Sequence, residues 1–499
     1  MELQFKESTC PCLTRVLGEV RSLEQAQEIR LSDGMPDIGR VLCGWGQVVQ
    51  RSKEWSADSV SLSAGMMVWV LYAPEDGSQP RWVEGWIPFT VQWDLPQTGP
   101  EGTMRVRCLT RFVDARSVSA RKIMVRAGIR AMMEAYVPRE AAIYAPEKDP
   151  EDVELKKVRY PMRLLKEAGE KTFSMDEELT LPGTLPPVEK LVYYTMEPEL
   201  QEQRVMADKV VFRGSGRLHV LYQDGESRLH SWDFSLPISQ YSELSQSHSG
   251  DAETSVEGAV TALELEVVDG THLHLKCGLV GQYLVEDLEV LELVEDAYSP
   301  GRDLTAEEET LELSGVLEHR REMVPAEQTV AAQGETAVDV VFLPDFPRQR
   351  TLENGVSETL SGTFQILYYG SGGQVQAAVS RWEGEMKLPA DANTRITALP
   401  LCPAEPQILM GGGDMKVRAE LPMELTAISA AGLPMVKGLT LGEARDPDEN
   451  RPSLILRRAG ERDLWEIAKA TGSTVGAIRS ANHLQEDPTP GQMLLIPIL

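Results

Sequence analysis

MMVWVLYAPEDG (66–77) is an apolar run closed by a polar, Gly-ended turn, and the chain repeats this pattern twice. RLHVLYQDGE (217–226) and TFQILYYGSGG (363–373) carry the same aromatic-ended run into a polar turn. The Leu-Tyr pairs fall at 71–72, 221–222 and 367–368, spacings of 150 and 146 residues. An aromatic-ended apolar run closed by a Gly-containing polar turn predicts a hairpin strand, and a fixed period predicts repeated domains.

Three further landmarks keep the same order. RWVEGWIPF (81–89), RLHSWDFSLP (228–237) and VSRWEGEMKLP (379–389) each place a Trp in the return strand of a hairpin. Val125-Arg126-Ala127, Leu275-Lys276-Cys277 and Val417-Arg418-Ala419 follow further on. Upstream, MPDIGRVL (35–42), EPELQEQRVM (197–206) and LPDFPRQRTL (343–352) set Pro and an acid before a basic, apolar stretch. The pattern predicts a mainly β chain of tandem antiparallel repeat domains with a small βααβ module behind them. The expected division is repeat 1 over 1–145, a connector plus repeat 2 over 146–300, repeat 3 over 301–441, a linker at 442–452 and the module at 453–499. Residues 145–189, charged and Pro-punctuated, are expected to connect the first two copies, and RSLEQAQEI (21–29) reads as a short helix.

The module is legible in detail. Leu454 and Leu456 alternate as a strand. Asp463 with Glu466 three residues on fits a capping box, and Leu464, Ile467 and Ala468 then share one helical face. Gly472-Ser473-Thr474 ends that helix and opens a second with Val475, Ile478 and Ala481 inward, and Pro490-Gly491 turns the chain into a last strand. The polar linker, with two prolines, is expected to isolate the module.

These elements resemble known families. DLWEIAKATGSTVGAIRSANHL followed by PTPGQMLLIP is similar to a LysM domain. LysM domains bind N-acetylglucosamine-containing glycans in a groove between the loop before the first helix and the loop before the last strand. The resemblance implies a partner- or glycan-binding groove over residues 460–464 and 482–490, with Gly460, Arg462, Asp463, Leu464, Asn482, Leu484 and Pro490 as its face. The family's G-D-T-L-W turn reads G-E-R-D-L-W here, and Ser453 stands where a tyrosine often opens the first strand. Trp465 is expected in the core under the first helix. EIRLSDGMPDIGRVLCGWGQVV (28–49) and DARSVSARKIMVRAGI (114–129) resemble the SPOCS domain, a β-rich unit of spore proteins without known catalytic residues. The combination resembles SipL-type spore-coat morphogenetic proteins. That implies a non-enzymatic scaffold or adaptor in spore-coat assembly, with a spore-coat morphogenetic ATPase or other coat protein as partner. The alternative it implies is a binder of peptidoglycan glycan strands in the cortex or cell wall.

Composition narrows the classes further. A formal charge of −28, with 42% apolar residues, argues against nucleic acid, which is bound through cationic surface. Residues 453–499 hold five basic and five acidic side chains, so the repeats and linker carry the whole imbalance. No transmembrane segment and no basic, then apolar, leader is read, which points to the cytoplasm, and the resemblance to SipL-type proteins implies the mother cell, at the forespore surface. The six scattered cysteines form neither a disulfide framework nor a zinc motif; His272 and His274 read as strand surface with Cys277 on the other face. No nucleophile, zincin or phosphate-loop motif is present, so no enzyme, metal or cofactor is expected.

Overall fold

A computed structural model describes the chain apart from residues 1, 97–100, 151, 332–333, 405, 412–413, 430–431, 446–451, 461–462 and 499. After a two-residue β1 (Glu2–Leu3), six strands follow: β2 (Phe5–Arg30), β3 (Ile38–Trp55), β4 (Ser59–Pro74), β5 (Arg81–Asp94), β6 (Thr103–Ser119) and β7 (Lys122–Pro146). The pattern returns as β8 (Glu154–Thr180), β9 (Lys190–Met206), β10 (Lys209–Gln223), β11 (Leu229–Glu243), β12 (Glu253–Val267) and β13 (His272–Tyr298). The third occurrence is broken into more pieces: β14 (Arg302–Glu312), β15 (Gly315–Ala331), β16 (Gly334–Pro344), β17 (Arg348–Leu352), β18 (Gly355–Gly370), β19 (Val375–Pro389), β20 (Thr394–Pro400), β21 (Gln407–Gly411), β22 (Asp414–Ser429) and β23 (Gly432–Ala444). The expected mainly antiparallel β class is the one observed.

Each unit is two small sheets face to face. In the first, the meander β3-β4-β5 packs on β2-β7-β6; in the second, β9-β10-β11 packs on β12-β13-β8, which joins β15-β22-β20 of the third through the pairing of Arg163 with Val316. Alternation decides which face is buried. Val60, Leu62, Ala64, Met66, Val68 and Val70 of β4 meet Ile123, Val125, Ala127 and Ile129 of β7 in one cluster. The Leu-Tyr landmark is core in all three units, and Tyr72 and Tyr222 donate their hydroxyls to the carbonyls of Pro36 and Pro186 at 3.0 and 3.1 Å. The amide of Ile38 bonds the Ala120 carbonyl just as that of Val188 bonds Gly270, again 150 residues on. The upstream landmark is thereby corrected: MPDIGRVL corresponds to LPPVEKLV (185–192), whereas EPELQEQRVM lies inside β9.

Two other expectations fail. Residues 21–29 are strand, because Arg21, Leu23, Gln25, Gln27 and Ile29 are half-buried while the residues between them are exposed, a period of two that only an extended chain satisfies. Most of the expected connector is β8, whose 27 residues pair along nearly all of β13; Lys157, Arg159, Glu170, Asp176, Glu177 and Glu178 are exposed along it.

The long strands β2, β7, β8 and β13 outrun their sandwiches. Their far ends, with β14 and β23, share a second core of Cys10, Cys12, Leu164, Leu291, Leu311, Leu433 and neighbours drawn from all three units. Glu2 and Leu3 pair with Thr440 and Leu439, so the start of the chain joins the last strand of the third unit.

Nearer the sandwiches the units meet through strand edges, and amide side chains cap them. Gln282 of the second unit accepts from Val106 N at 2.9 Å and donates to Val106 O at 2.8 Å, taking the place of a neighbouring strand. Gln47 accepts from Met196 N at 3.0 Å and Gln365 donates to Gly44 O at 3.2 Å. Trp45 stacks on Tyr193 with centroids 4.2 Å apart. Edges finished in this way cannot recruit a further strand.

Candidate functional site

The C-terminal module is β24 (Leu454–Arg458), α1 (Leu464–Thr471), α2 (Val475–Asn482) and β25 (Met493–Pro497), with β24 and β25 antiparallel. Asp463 caps α1, its carboxylate accepting from Glu466 N at 2.8 Å, and Thr474 caps α2 through Ala477 N at 3.0 Å. Gly472 closes α1 at φ 67°, a conformation glycine adopts without steric cost. Leu464, Ile467, Ala468 and Ile478 fill the core beneath the sheet with Leu494 and Ile496.

Among the seven residues expected at the groove, Gly460, Asp463 and Pro490 are exposed. Their loops are adjacent: Ala459 N bonds Gln492 O at 2.7 Å and Gly491 N bonds Ala459 O at 2.8 Å. Leu464 is 3% exposed and belongs to the core, and Leu484 packs half-buried against it. Asn482 is spent on the fold. Its amide donates to Ile478 O and Leu495 O at 2.8 and 2.6 Å and accepts from Leu495 N at 2.7 Å, tying α2 to β25. Arg462 lies outside the described residues.

The linker does not isolate the module. Tyr298, the last residue of β13, enters the module's core and donates to Ser473 O at 3.0 Å. Its ring meets Trp465 edge-on, with centroids 4.9 Å apart. Asp296 accepts from the Trp465 indole at 2.8 Å and from Lys469 at 2.7 Å. Burial pushes the Asp296 carboxyl up, but the Lys469 and Trp465 contacts outweigh it and hold the group below its ordinary range. Trp465 is therefore a docking residue as well as a core one. Only the partner residues on β13, which no local sequence signal connects with it, reveal this.

A family model described as SipL, SPOCS domain matches residues 187–268, and one described as LysM domain matches residues 459–497. The chain carries a SPOCS domain and a LysM domain. No curated protein and no solved structure matches it. The SPOCS match covers β9 to β12 of the second unit, whereas the sequence resemblance was carried by the first; the shared 150-residue offset of their hydrogen bonds explains how both display the pattern. The LysM match spans Ala459, both helices and β25.

The sheet of the LysM domain has an outer face as well. Leu454, Leu456 and Met493 are 49%, 63% and 47% exposed, and Arg458 stands beside Met493 in register. Sequence alternation placed Leu454 and Leu456 on a strand and left open that Ile455 alone among them points to the core.

His272 and His274 sit at the strand surface against Asp269 and Asp176, with Cys277 buried behind them. Among the described residues no three His, Cys, Asp or Glu side chains are grouped to hold an ion. Among the described residues no helix is long and apolar enough to cross a membrane.

Proposed function

We propose that the protein is a non-enzymatic adaptor in spore-envelope assembly, working from the mother-cell cytoplasm at the forespore surface, and that its LysM domain docks to a coat protein. A SPOCS domain of SipL type together with a LysM domain indicates a sporulation-related protein that binds peptidoglycan or protein, and both are binding modules. One observation favours protein. Trp465 is the only Phe, Trp or Tyr in residues 453–499, and it is engaged by Tyr298 and Asp296 of the body. Sugar rings are held chiefly by stacking on aromatic faces, and the groove has none to offer. The exposed Leu454, Leu456 and Met493 instead provide apolar area with cationic neighbours Arg457 and Arg458, the combination that anchors a protein interface. The neutral LysM domain is the end at which an acidic partner escapes the repulsion of the acidic body.

The second reading, a peptidoglycan glycan, is favoured by the adjacent exposed loops bearing Gly460, Asp463 and Pro490. Titration of the full chain with N-acetylglucosamine oligomers and muropeptides, followed by calorimetry, separates the two. Silence at millimolar ligand, with retention of coat proteins from sporulating lysates that is lost on Leu456→Asp, supports the adaptor. Saturable sugar binding that disappears in Gly460→Phe replaces it with the glycan reading.

A further inference from the structure

The units enclose a cavity of about 660 Å³ where their strand edges converge. Its wall takes Arg107 from β6, Glu197 from β9, His219 from β10, Glu257 from β12 and Asp339 from β16, so no unit builds it alone. The volume is that of a small-molecule site, with apolar lining from Met196, Val256 and Phe342 among ten Asp, Glu, His and Arg side chains.

The charges in this wall are unequally committed. Arg107 pairs with Glu257 at 2.9 Å and donates to Pro400 O at 2.6 Å. Arg217 donates to Pro403 O at 2.9 Å and to the Cys402 thiol. His219 lies between Asp233 at 2.7 Å and Asp339 at 3.1 Å. Each of these cations already has an acceptor. Glu197 differs from them. Among the described residues its carboxylate has no hydrogen bond or ion pair, which in this wall is true also of the half-buried Glu424; Arg217, Glu199 and Arg107 act on Glu197 only through space. It is reached by solvent yet surrounded by protein, because what it faces is this cavity. Burial raises its pKa, the attraction of Arg217 and Arg107 notwithstanding, so its charge is costly until a positive group approaches.

We propose that the cavity binds a small organic cation, an ammonium group on a compact ring or short chain, with Glu197 as its counter-ion. An inorganic ion is a poorer match, since no three potential ligands are grouped among the described residues. An anion would meet cations already satisfied and a carboxylate that repels it. An ammonium gives Glu197 the donor it lacks while its carbon body covers Met196 and Val256. This site is separate from the LysM groove and does not depend on how that groove is used.

The test is calorimetric titration of the full chain with cyclohexylammonium and glucosamine, each beside its neutral counterpart, cyclohexanol and N-acetylglucosamine. The expected result is one saturable site for the ammonium compounds only, unaffected by Gly460→Phe and weakened at least tenfold by Glu197→Gln. Glu197→Asp, which keeps the charge, should retain most of the affinity, and Glu226→Gln, at an exposed turn, should change nothing. Affinity should rise with pH as the Glu197 carboxyl ionises. Equal binding of charged and neutral compounds, or no saturable site for either ammonium compound at millimolar concentration, overturns the proposal without recourse to any variant. So does an undiminished affinity in a folded Glu197→Gln protein.

Discussion

Gly460 and Asp463 illustrate how differently two groove residues can respond to mutation. A side chain added at Gly460 meets nothing within 4 Å, and its φ lies outside the left-handed region, so Gly460→Phe fills the groove without strain. Its unfolding free energy should stay within about 0.5 kcal/mol of the parent, while any ligand held between the two loops is lost. Asp463→Ala removes the α1 cap and should destabilise the LysM domain by about 1 kcal/mol whatever it binds; denaturant titration tells the two effects apart. His483 closes α2 with φ 54°, a left-handed conformation that costs a non-glycine side chain roughly 1 kcal/mol. His483→Gly is accordingly expected to raise the stability of the module by a similar amount, measured by hydrogen exchange of the α2 amides. Cys10 and Cys12, at 7% and 6% exposure, are packing residues of the core shared by the three units, and burial raises both thiols above their ordinary range. Both should label slowly with thiol reagents in the folded protein.

At the scale of elements, the LysM domain is held by the end of one strand. Asp296→Ala leaves Lys469 and the Trp465 indole without their acceptor and loosens α1 from β13, which then holds it through Tyr298. The pair is partly exposed, so the expected loss is about 1 kcal/mol. It should appear as faster hydrogen exchange confined to residues 464–482, with the strands of the three units unchanged. Uniformly faster exchange would mean that the module supports the body as well. Much of this module was legible in the sequence, because capping, a 3.6-residue period and Pro-Gly turns are local signals. Asn482 was misleading for the opposite reason: its three bonds to Ile478 and Leu495 arise only when α2 and β25 come together.

For the whole molecule, the junction of the units depends on charge. His219 lies between Asp233 and Asp339, and Tyr193 donates to Asp339 at 2.6 Å, so residues of the second and third units are joined there. Burial disfavours the imidazolium, but Asp339 and Asp233 prevail and lift its pKa from 6.5 to about 10. A group raised in the folded state stabilises fully below its unfolded pKa and loses that contribution as pH rises through the folded one. Stability should therefore fall between about pH 6.5 and pH 10. The fall should be absent in His219→Gln, checked by urea midpoints across that range. Glu134 works in the acid direction: burial opposes its ionisation, but Arg105 and Arg15 depress its pKa, so its contribution disappears only as pH drops below the usual carboxylate range. Gln282→Ala should cost about 1–3 kcal/mol, since it leaves the Val106 amide unpaired in a buried edge, while the Val106 carbonyl keeps only its bond from Gln50 at 3.2 Å.

The sequence by itself determined the β class, the 150-residue period, the recurrence of the Leu-Tyr pairs and, in the LysM domain, the Asp463 cap and the Gly472-Ser473-Thr474 break between its helices. Each of these is written within a few residues or repeated at fixed spacing. It could not show that β8 is a strand, since its charges conceal an alternation that is evident only against β13. Nor could it show that Trp382 and Tyr368 are buried while the Tyr369 hydroxyl crosses to Leu229 N of the neighbouring unit. Tertiary structure alone decided that three units share one cavity, that glutamines finish their edges, and that Trp465 belongs as much to the body as to its own module. Contacts between residues 150 or more apart leave no periodicity behind, because either partner alone is only a polar or aromatic residue on a strand.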